Sequence, residues 1–259
     1  MNRVAFTIFN FNVYYYSLCI LCGVIVAYTL IRYEVRKHRI NKNLISDLMF
    51  YTLLIGILGA RIYYVLFNLD YYLMHKSEIF MIHNGGLAIH GGIIFGLIFS
   101  YLYCKKKEIN YLRFLDICAP ALMLAQAIGR WGNFFNSEAH GSITTLVKLK
   151  ELHIPDFIIN GMYIDGNYYY PTFFFESIWC VIGFIIIMLL RKNKNIKLGT
   201  QIGFYFIFYG IGRFFIENIR TDSLMLLNLK VAMIISVIGI IFGIILLVFS
   251  RRQERYYRE

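Results

Sequence analysis

Three arginines sit where an apolar sequence rarely carries them. Arg61, Arg130 and Arg213 each lie toward one end of a long hydrophobic stretch. A guanidinium inside a membrane span costs about 2.5–3.5 kcal/mol on insertion scales, so the three together oppose insertion by roughly 8–10 kcal/mol. Residues held at that cost face a polar cavity and meet an anion, or they pair with an internal carboxylate. Glu138, Glu176 and Glu217 are within topological reach as partners. The chemistry that suits such arginines is recognition of a phosphate or carboxylate by a planar donor fork, and stabilisation of negative charge as it develops.

The local patterns sharpen this reading. Around Arg130 the chain runs Gly129-Arg130-Trp131-Gly132-Asn133-Phe134-Phe135-Asn136-Ser137-Glu138 and reaches Gly141. On a helix Arg130, Asn133 and Ser137 share one face, and the two glycines remove side chains beside the arginine. A glycine-stopped helix end with a satisfied arginine is the plainer reading, but it leaves the gathering of Arg, two Asn and Glu unexplained. Farther on, Arg213, Glu217 and Arg220 fall at i, i+4 and i+7 on one face, where a carboxylate can orient a guanidinium. A third run, Gly85-Gly86-Leu87-Ala88-Ile89-His90-Gly91-Gly92, places glycines at a helix start, whose free N–H groups suit an anion. His90 has a side chain whose ordinary pKa fits a general base. Gly92 and Gly96 also make a small-residue helix-packing pattern, which accounts for some of these glycines without a ligand.

The elements that carry these residues are apolar. Of 259 residues 59% are hydrophobic and only 16% charged, with three prolines. That leaves too little polar surface to coat a soluble globule. Near-spanning stretches fall at about 13–31, 48–67, 86–103, 112–130, 172–190, 200–216 and 230–250. Each must be a helix, because an isolated span satisfies its backbone in lipid only that way. The expected fold class is therefore an all-α integral membrane protein with about seven transmembrane helices.

The formal charge of +11 would point to nucleic acid in a soluble protein. Here it is distributed as topology signals, and nucleic acid is not expected as a partner. Arg32, Arg36, Lys37, Arg39 and Lys42 follow the first stretch, Lys105, Lys106, Lys107 and Arg113 the third, Arg191, Lys192, Lys194 and Lys197 the fifth, and Arg251, Arg252, Arg255 and Arg258 the seventh. The other side holds fewer: Arg3, Lys76, Lys148, Lys150, Arg220 and Lys230. The positive-inside rule then puts the N-terminus outside and the C-terminus in the cytoplasm. Residues 1–259 read as a single transmembrane catalytic domain, with 131–171 an extracytoplasmic loop or head of a length that is more often functional than idle. The first stretch has no small-residue cleavage site after it and is expected to remain. The five cysteines lie mostly in apolar stretches and frame no disulfide set; no metal-ligand spacing appears, and no cofactor is expected.

The run GRWGNFFNSE closely resembles the signature of bacterial prolipoprotein diacylglyceryl transferases. The resemblance extends to Tyr14-Tyr15-Tyr16, to GARIYYV around Arg61, to GGLAIHGG around His90, to PTFFFES around Glu176 and to GIGRFFIENIR around Arg213, in order over nearly the whole chain. One departure is Tyr170, where many members have histidine before the proline.

That resemblance implies a multi-pass enzyme of the bacterial cytoplasmic membrane. It would move the diacylglyceryl group of phosphatidylglycerol onto the cysteine thiol of a prolipoprotein, forming a thioether and releasing glycerol phosphate. Its partners would be phosphatidylglycerol, prolipoprotein signal peptides and membrane lipids. The chemistry needs an activated thiol and fixed cations for the leaving phosphate. Arg130 and Arg213 are the expected clamp, with Arg130 on the head group, and His90 the candidate base. Asn133, Asn136, Tyr16 and Gly141 would shape the glycerol pocket, Glu138 and Glu217 would orient guanidiniums, and Arg61 would add to substrate binding. Two rivals use the same residues. A transporter or channel for an anionic solute predicts polar groups through the full bilayer depth, whereas here they gather near the outer ends. A non-catalytic scaffold has no reason to hold GRWGN and GRFFIE at one depth.

Overall fold

The computed structural model describes residues 3–9, 11–38, 40–81, 85–221, 223, 225–226 and 229–257. Arg39 and Arg258, counted above among the basic loop residues, lie outside them. The chain opens with an antiparallel hairpin, β1 (Val4–Ile8) and β2 (Phe11–Tyr14), and continues through α1 (Tyr15–Val35), α2 (Lys42–Phe67), α3 (Leu69–Met74), α4 (Ile89–Lys106) and α5 (Tyr111–Asn136). Then follow β3 (Ile143–Thr144), α6 (Leu146–Glu151), α7 (Asp156–Gly161), β4 (Tyr163–Ile164), β5 (Asn167–Tyr169), α8 (Thr172–Arg191), α9 (Thr200–Ile219), β6 (Met225–Leu226), β7 (Leu229–Lys230) and α10 (Val231–Ser250).

The protein is mostly helical, and five helices are long and apolar enough to cross a membrane: Tyr15–His38, Lys42–Phe67, Tyr111–Asn136, Thr172–Arg191 and Val231–Ser250. Two more long helices, α4 with 18 residues and α9 with 20, coincide with the third and sixth expected stretches. Their polar residues keep them out of the first group: His90 and two terminal lysines in α4, and Gln201, Arg213 and Glu217 in α9. The short strands were not foreseen, because pairs of two to five residues leave little alternation to read.

Two compact units are present, one of residues 1–31 and 115–259, the other of residues 32–114. In the smaller unit α2 packs along α4, with Asn41 capping α2 through its side chain. A Cβ at Gly91 would overlap the Tyr63 side chain and the Gly59 carbonyl, and one at Gly92 would stand 3.2 Å from the Gly56 carbonyl oxygen. The glycines after His90 are therefore spent on helix contact.

In the larger unit α5, α8 and α9 are tied by a buried polar knot at the ends remote from Arg130 and Arg213. Pro120 lacks an N–H, so the carbonyl of Asp116 one turn earlier has no helical partner. Arg191 supplies one, its Nη2 donating to that oxygen at 2.8 Å while its Nε donates to Gln201 Oε1 at 2.7 Å. The Asp116 carboxylate accepts from the backbone N–H groups of Gly199 and Ile202, at 2.8 and 2.9 Å, and so caps α9. Gly199 takes a left-handed φ of +89°, which only glycine adopts without strain, to start that helix. Between this knot and the opposite ends of the helices lies an apolar core of Ala119, Met123, Ala127, Cys180, Ile187, Ile202 and Tyr205.

Residues 137–171 fold into a small structured head. Its three strands run in the order β3-β5-β4, antiparallel, over a core of Phe134, Leu149, Ile154, Ile158, Ile159, Met162 and Phe173.

Candidate functional site

The last turns of α5 and α9 and the first turn of α8 bring five charged side chains into one chain of contacts. Arg130 on α5 reaches Glu176 on α8, Nη2 to Oε1, at 2.8 Å. The other oxygen of Glu176 accepts from Arg213 Nη1 on α9 at 3.1 Å. Arg213 Nη2 pairs with Glu217 Oε2 at 2.7 Å, one turn along the same helix, and Arg220 Nη1 stands 3.8 Å from that oxygen. Arg130 and Arg213, expected to converge, do converge, and the carboxylate between them is the reason they can. Two guanidiniums at this separation would repel in a low-dielectric setting unless a shared anion lay between them.

The charges do not cancel. Three guanidiniums meet two carboxylates, leaving one positive charge among the described residues. The carboxylates are almost sealed, with side chains 3% and 2% exposed, whereas Arg130 and Arg213 keep 22% and 15% of theirs open. A guanidinium has five N–H donors, and these pairings employ only some of them. The arrangement thus presents a partly open, net cationic surface backed by buried anions that fix its direction. An oxyanion is the ligand that fits it.

Tyr209 completes the cluster and was not singled out from sequence. Its hydroxyl accepts from Arg130 Nη2 and donates to Glu176 Oε1, both at 3.2 Å. The available signal was its position, four residues before Arg213 and on the same helical face.

Around Arg130 the remaining expected residues divide into polar and packing roles. Helix α5 ends at Asn136, and Ser137 turns left-handed with φ +54°, so Ser137 leaves the face it was expected to share with Arg130 and Asn133. Ala139 is also left-handed at φ +55°. Two such residues, one on either side of Glu138, hold it in a sharp turn, a local strain of order 1–3 kcal/mol for each. Glu138 Oε1 accepts from Asn133 Nδ2 at 2.9 Å and from Asn136 Nδ2 at 3.3 Å. Its observed partners are thus asparagines, and the guanidinium-orienting role expected of it falls to Glu176 beside Glu217. Thr172 Oγ1 donates to the Ala139 carbonyl and Gly141 N–H donates to the Tyr170 carbonyl at 2.8 Å, which anchors the turn to the start of α8.

Gly141 also bridges to Arg220 in antiparallel fashion. A Cβ there would lie 2.8 Å from Tyr170 Cβ and 3.1 Å from an Ile219 methyl, so a side chain cannot be added without moving α9's end. Tyr16 on α1 is 37% exposed and lies against Gly132, whose added Cβ would meet its ring at 2.7 Å. Gly132 is what lets α1 come this close to α5.

Arg61 and His90 belong to the smaller unit. Arg61 is 7% exposed and gives four donors to backbone carbonyls: Nε to Ile79, Nη1 to Gly85 and Gly86, and Nη2 to Glu78, at 2.6–3.0 Å. It ties Glu78, Ile79, Gly85 and Gly86 to α2, beside a cavity of about 400 Å³ lined by Tyr64, Tyr71 and Tyr72 among others. His90 is exposed in the first turn of α4, its ring 6.4 Å from that of Tyr63. Among the described residues no group of three or more His, Cys, Asp or Glu is placed to hold a metal ion.

Comparison with known proteins agrees with the motifs. The family model described as prolipoprotein diacylglyceryl transferase matches residues 3–249. A phosphatidylglycerol–prolipoprotein diacylglyceryl transferase of Clostridium novyi is 48% identical over 255 residues, 98% of each chain. Proteins of the same name from Streptococcus uberis and Staphylococcus aureus are each 46% identical. The first match covers 100% of both chains, the second 97% of this chain and 90% of the relative. By this match over nearly the whole chain, and with five helices long and apolar enough to cross a membrane, the chain is a multi-pass membrane protein that belongs to the prolipoprotein diacylglyceryl transferase family.

Proposed function

We propose that this protein transfers the diacylglyceryl group of phosphatidylglycerol to the cysteine thiol of a prolipoprotein. The observation that carries the reading is the pairing of Arg130 and Arg213 on one buried carboxylate, with a net positive charge carried by partly exposed guanidiniums. In the reaction the thiol loses its proton and its sulfur bonds to the glyceryl carbon. The carbon–oxygen bond to phosphate breaks, and glycerol phosphate departs with one more negative charge than the diester carried. Cations that meet this developing charge lower the barrier, provided they are held in place before reaction. Glu176 and Glu217 do the holding.

Arg130 takes the head-group phosphate and Arg213 shares it. Asn133, Asn136, Tyr16 and the Gly141 turn line the glycerol side, and Arg61 adds to substrate binding. His90 is the candidate base, on the motif around it. The lipid and the signal peptide enter from the bilayer, so the natural setting is the bacterial cytoplasmic membrane. Seven spans, the five most apolar helices with α4 and α9, give an external N-terminus, an internal C-terminus and an external 131–171 head.

The transporter reading finds less support. Polar residues also occur at the opposite ends of α5, α8 and α9, contrary to the expectation that they gather near the outer ends alone. Asp116 and Gln201 are fully buried there and Arg191 is 5% exposed, all bound to one another or to backbone, with the apolar core of Met123, Cys180 and Ile187 above them. A conduit needs continuous polar lining, and this core interrupts it.

Purified protein mixed with labelled phosphatidylglycerol and a precursor peptide tests the proposal. Thioether product is expected with the wild type and none with Arg130→Ala, while the variant still inserts and folds. Near-normal transfer by Arg130→Ala would refute the clamp.

A further inference from the structure

We infer that Gln126 and Tyr205 are positioning residues for this reaction, acting through Tyr209; the inference rests on the diacylglyceryl-transfer reading. Beyond the Asp116 knot, two side-chain contacts join helices α5 and α9. At the site Arg130 donates to the Tyr209 hydroxyl at 3.2 Å. One turn deeper on both helices, Gln126 Nε2 donates to the Tyr205 hydroxyl at 2.9 Å. Gln126 precedes Arg130 by four residues and Tyr205 precedes Tyr209 by four, so the two contacts repeat about one helical pitch, 5.4 Å, apart.

The two rungs are coupled by the rings. Tyr205 and Tyr209 stack with centroids 5.9 Å apart and planes only 3° from parallel. Tyr209 needs such backing, because its hydroxyl serves two partners at once. It accepts from Arg130 and donates to Glu176 Oε1 at 3.2 Å, and a modest ring rotation breaks both. The Tyr205 ring is a flat support against that rotation, and the Gln126 amide fixes the far tip of the support.

Packing alone gives no reason for an amide at this position. The neighbouring core consists of Ala119, Met123, Ala127, Cys180, Ile187 and Ile202. Gln126 Oε1 is buried there without a hydrogen-bond partner among the described residues. A buried carbonyl left unpaired is destabilising, and a leucine of similar size would remove the penalty. Holding Tyr205, and through it the Arg130–Tyr209–Glu176 triangle, supplies the missing reason.

The test uses full-length protein in phosphatidylglycerol-containing nanodiscs, with Gln126→Leu, Tyr205→Phe and the double variant. Misplacing a clamp without removing it slows the chemical step and spares ground-state binding, so each single variant should lose about tenfold in kcat with KM for the lipid unchanged. The double variant should lose no more than either single one, since both cut the same link. The double variant, which leaves neither partner of this pair orphaned, should melt at or above the wild-type temperature. Unchanged kcat, a rise in KM alone, additive losses, or a double variant that loses activity and also melts below the wild type would overturn the inference. A structure of Gln126→Leu gives a readout independent of turnover. Displacement of the Tyr209 hydroxyl from Glu176 supports the ladder, and an unmoved Tyr209 overturns it. Absence of thioether product from the wild type would instead defeat the transfer reading, and the position of Tyr209 in that structure would still decide the ladder.

Discussion

At the residue scale the controlling fact is that Glu176 serves two arginines at once. An arginine placed alone in an apolar helix costs stability, and one sealed by its own carboxylate has no charge left for a ligand. Sharing one carboxylate between two guanidiniums avoids both outcomes. It fixes their direction and leaves net charge for an oxyanion. His90 belongs to the same scale but has a different status, since it is exposed at the start of α4. Replacing it with asparagine keeps hydrogen-bonding capacity and removes the titrating ring. If His90 is the base, His90→Asn should lower transfer by more than about tenfold in the same thioether assay, the lower end of general acid–base contributions being near a hundredfold. A smaller loss would leave it a helix-packing role beside Gly91 and Gly92.

At the scale of elements, the end of α9 carries Arg213, Glu217 and Arg220 and must not fray. Lys230, at the start of α10, secures it. Its ammonium donates to the carbonyls of Glu217, Asn218 and Arg220 at 2.7, 3.2 and 2.6 Å, satisfying the final turn and opposing the negative end of the helix dipole. Lys230→Met removes those bonds and leaves the carbonyls to water. The half-buried setting implies a loss of about 1 kcal/mol, which for a chain of this size lowers the melting temperature by about 2–4 °C. Transfer activity should fall along with it, because the freed turn carries the partner of Arg213. Scanning calorimetry or thermal-shift unfolding in detergent measures the first effect, and an unchanged melting temperature would show that other contacts hold the turn.

At the scale of the whole molecule, the expectation open to test is topology. Single cysteines placed in an otherwise cysteine-free protein report which side of the membrane each loop faces. With seven spans, Lys106→Cys and Lys194→Cys should react with an impermeant thiol reagent only after the membrane is opened. Lys148→Cys in the head should react in intact cells. Labelling of all three from the same side would break the seven-span reading, because an odd number of crossings separates the head from both basic loops.

Much of this was readable from composition and spacing, for reasons that are local. Lipid forces every span to be a helix, so runs near 172–190 and 230–250 emerge within a residue or two as α8 and α10. Arg130 and Arg213 stand out because charge is so costly in such runs. What tertiary structure decided is which distant groups meet. Nothing in the spacing says that Glu176 would take both arginines, that Glu138 would turn to Asn133 and Asn136, or that Tyr209 would stand between Arg130 and Glu176. Likewise the helical face that seemed to include Ser137 ended early, because the chain turns left-handed there to meet the start of α8. Periodicity assigns a residue to a face of its own helix. Its partner is set by how that helix is rotated and shifted against others, and only their packing fixes that.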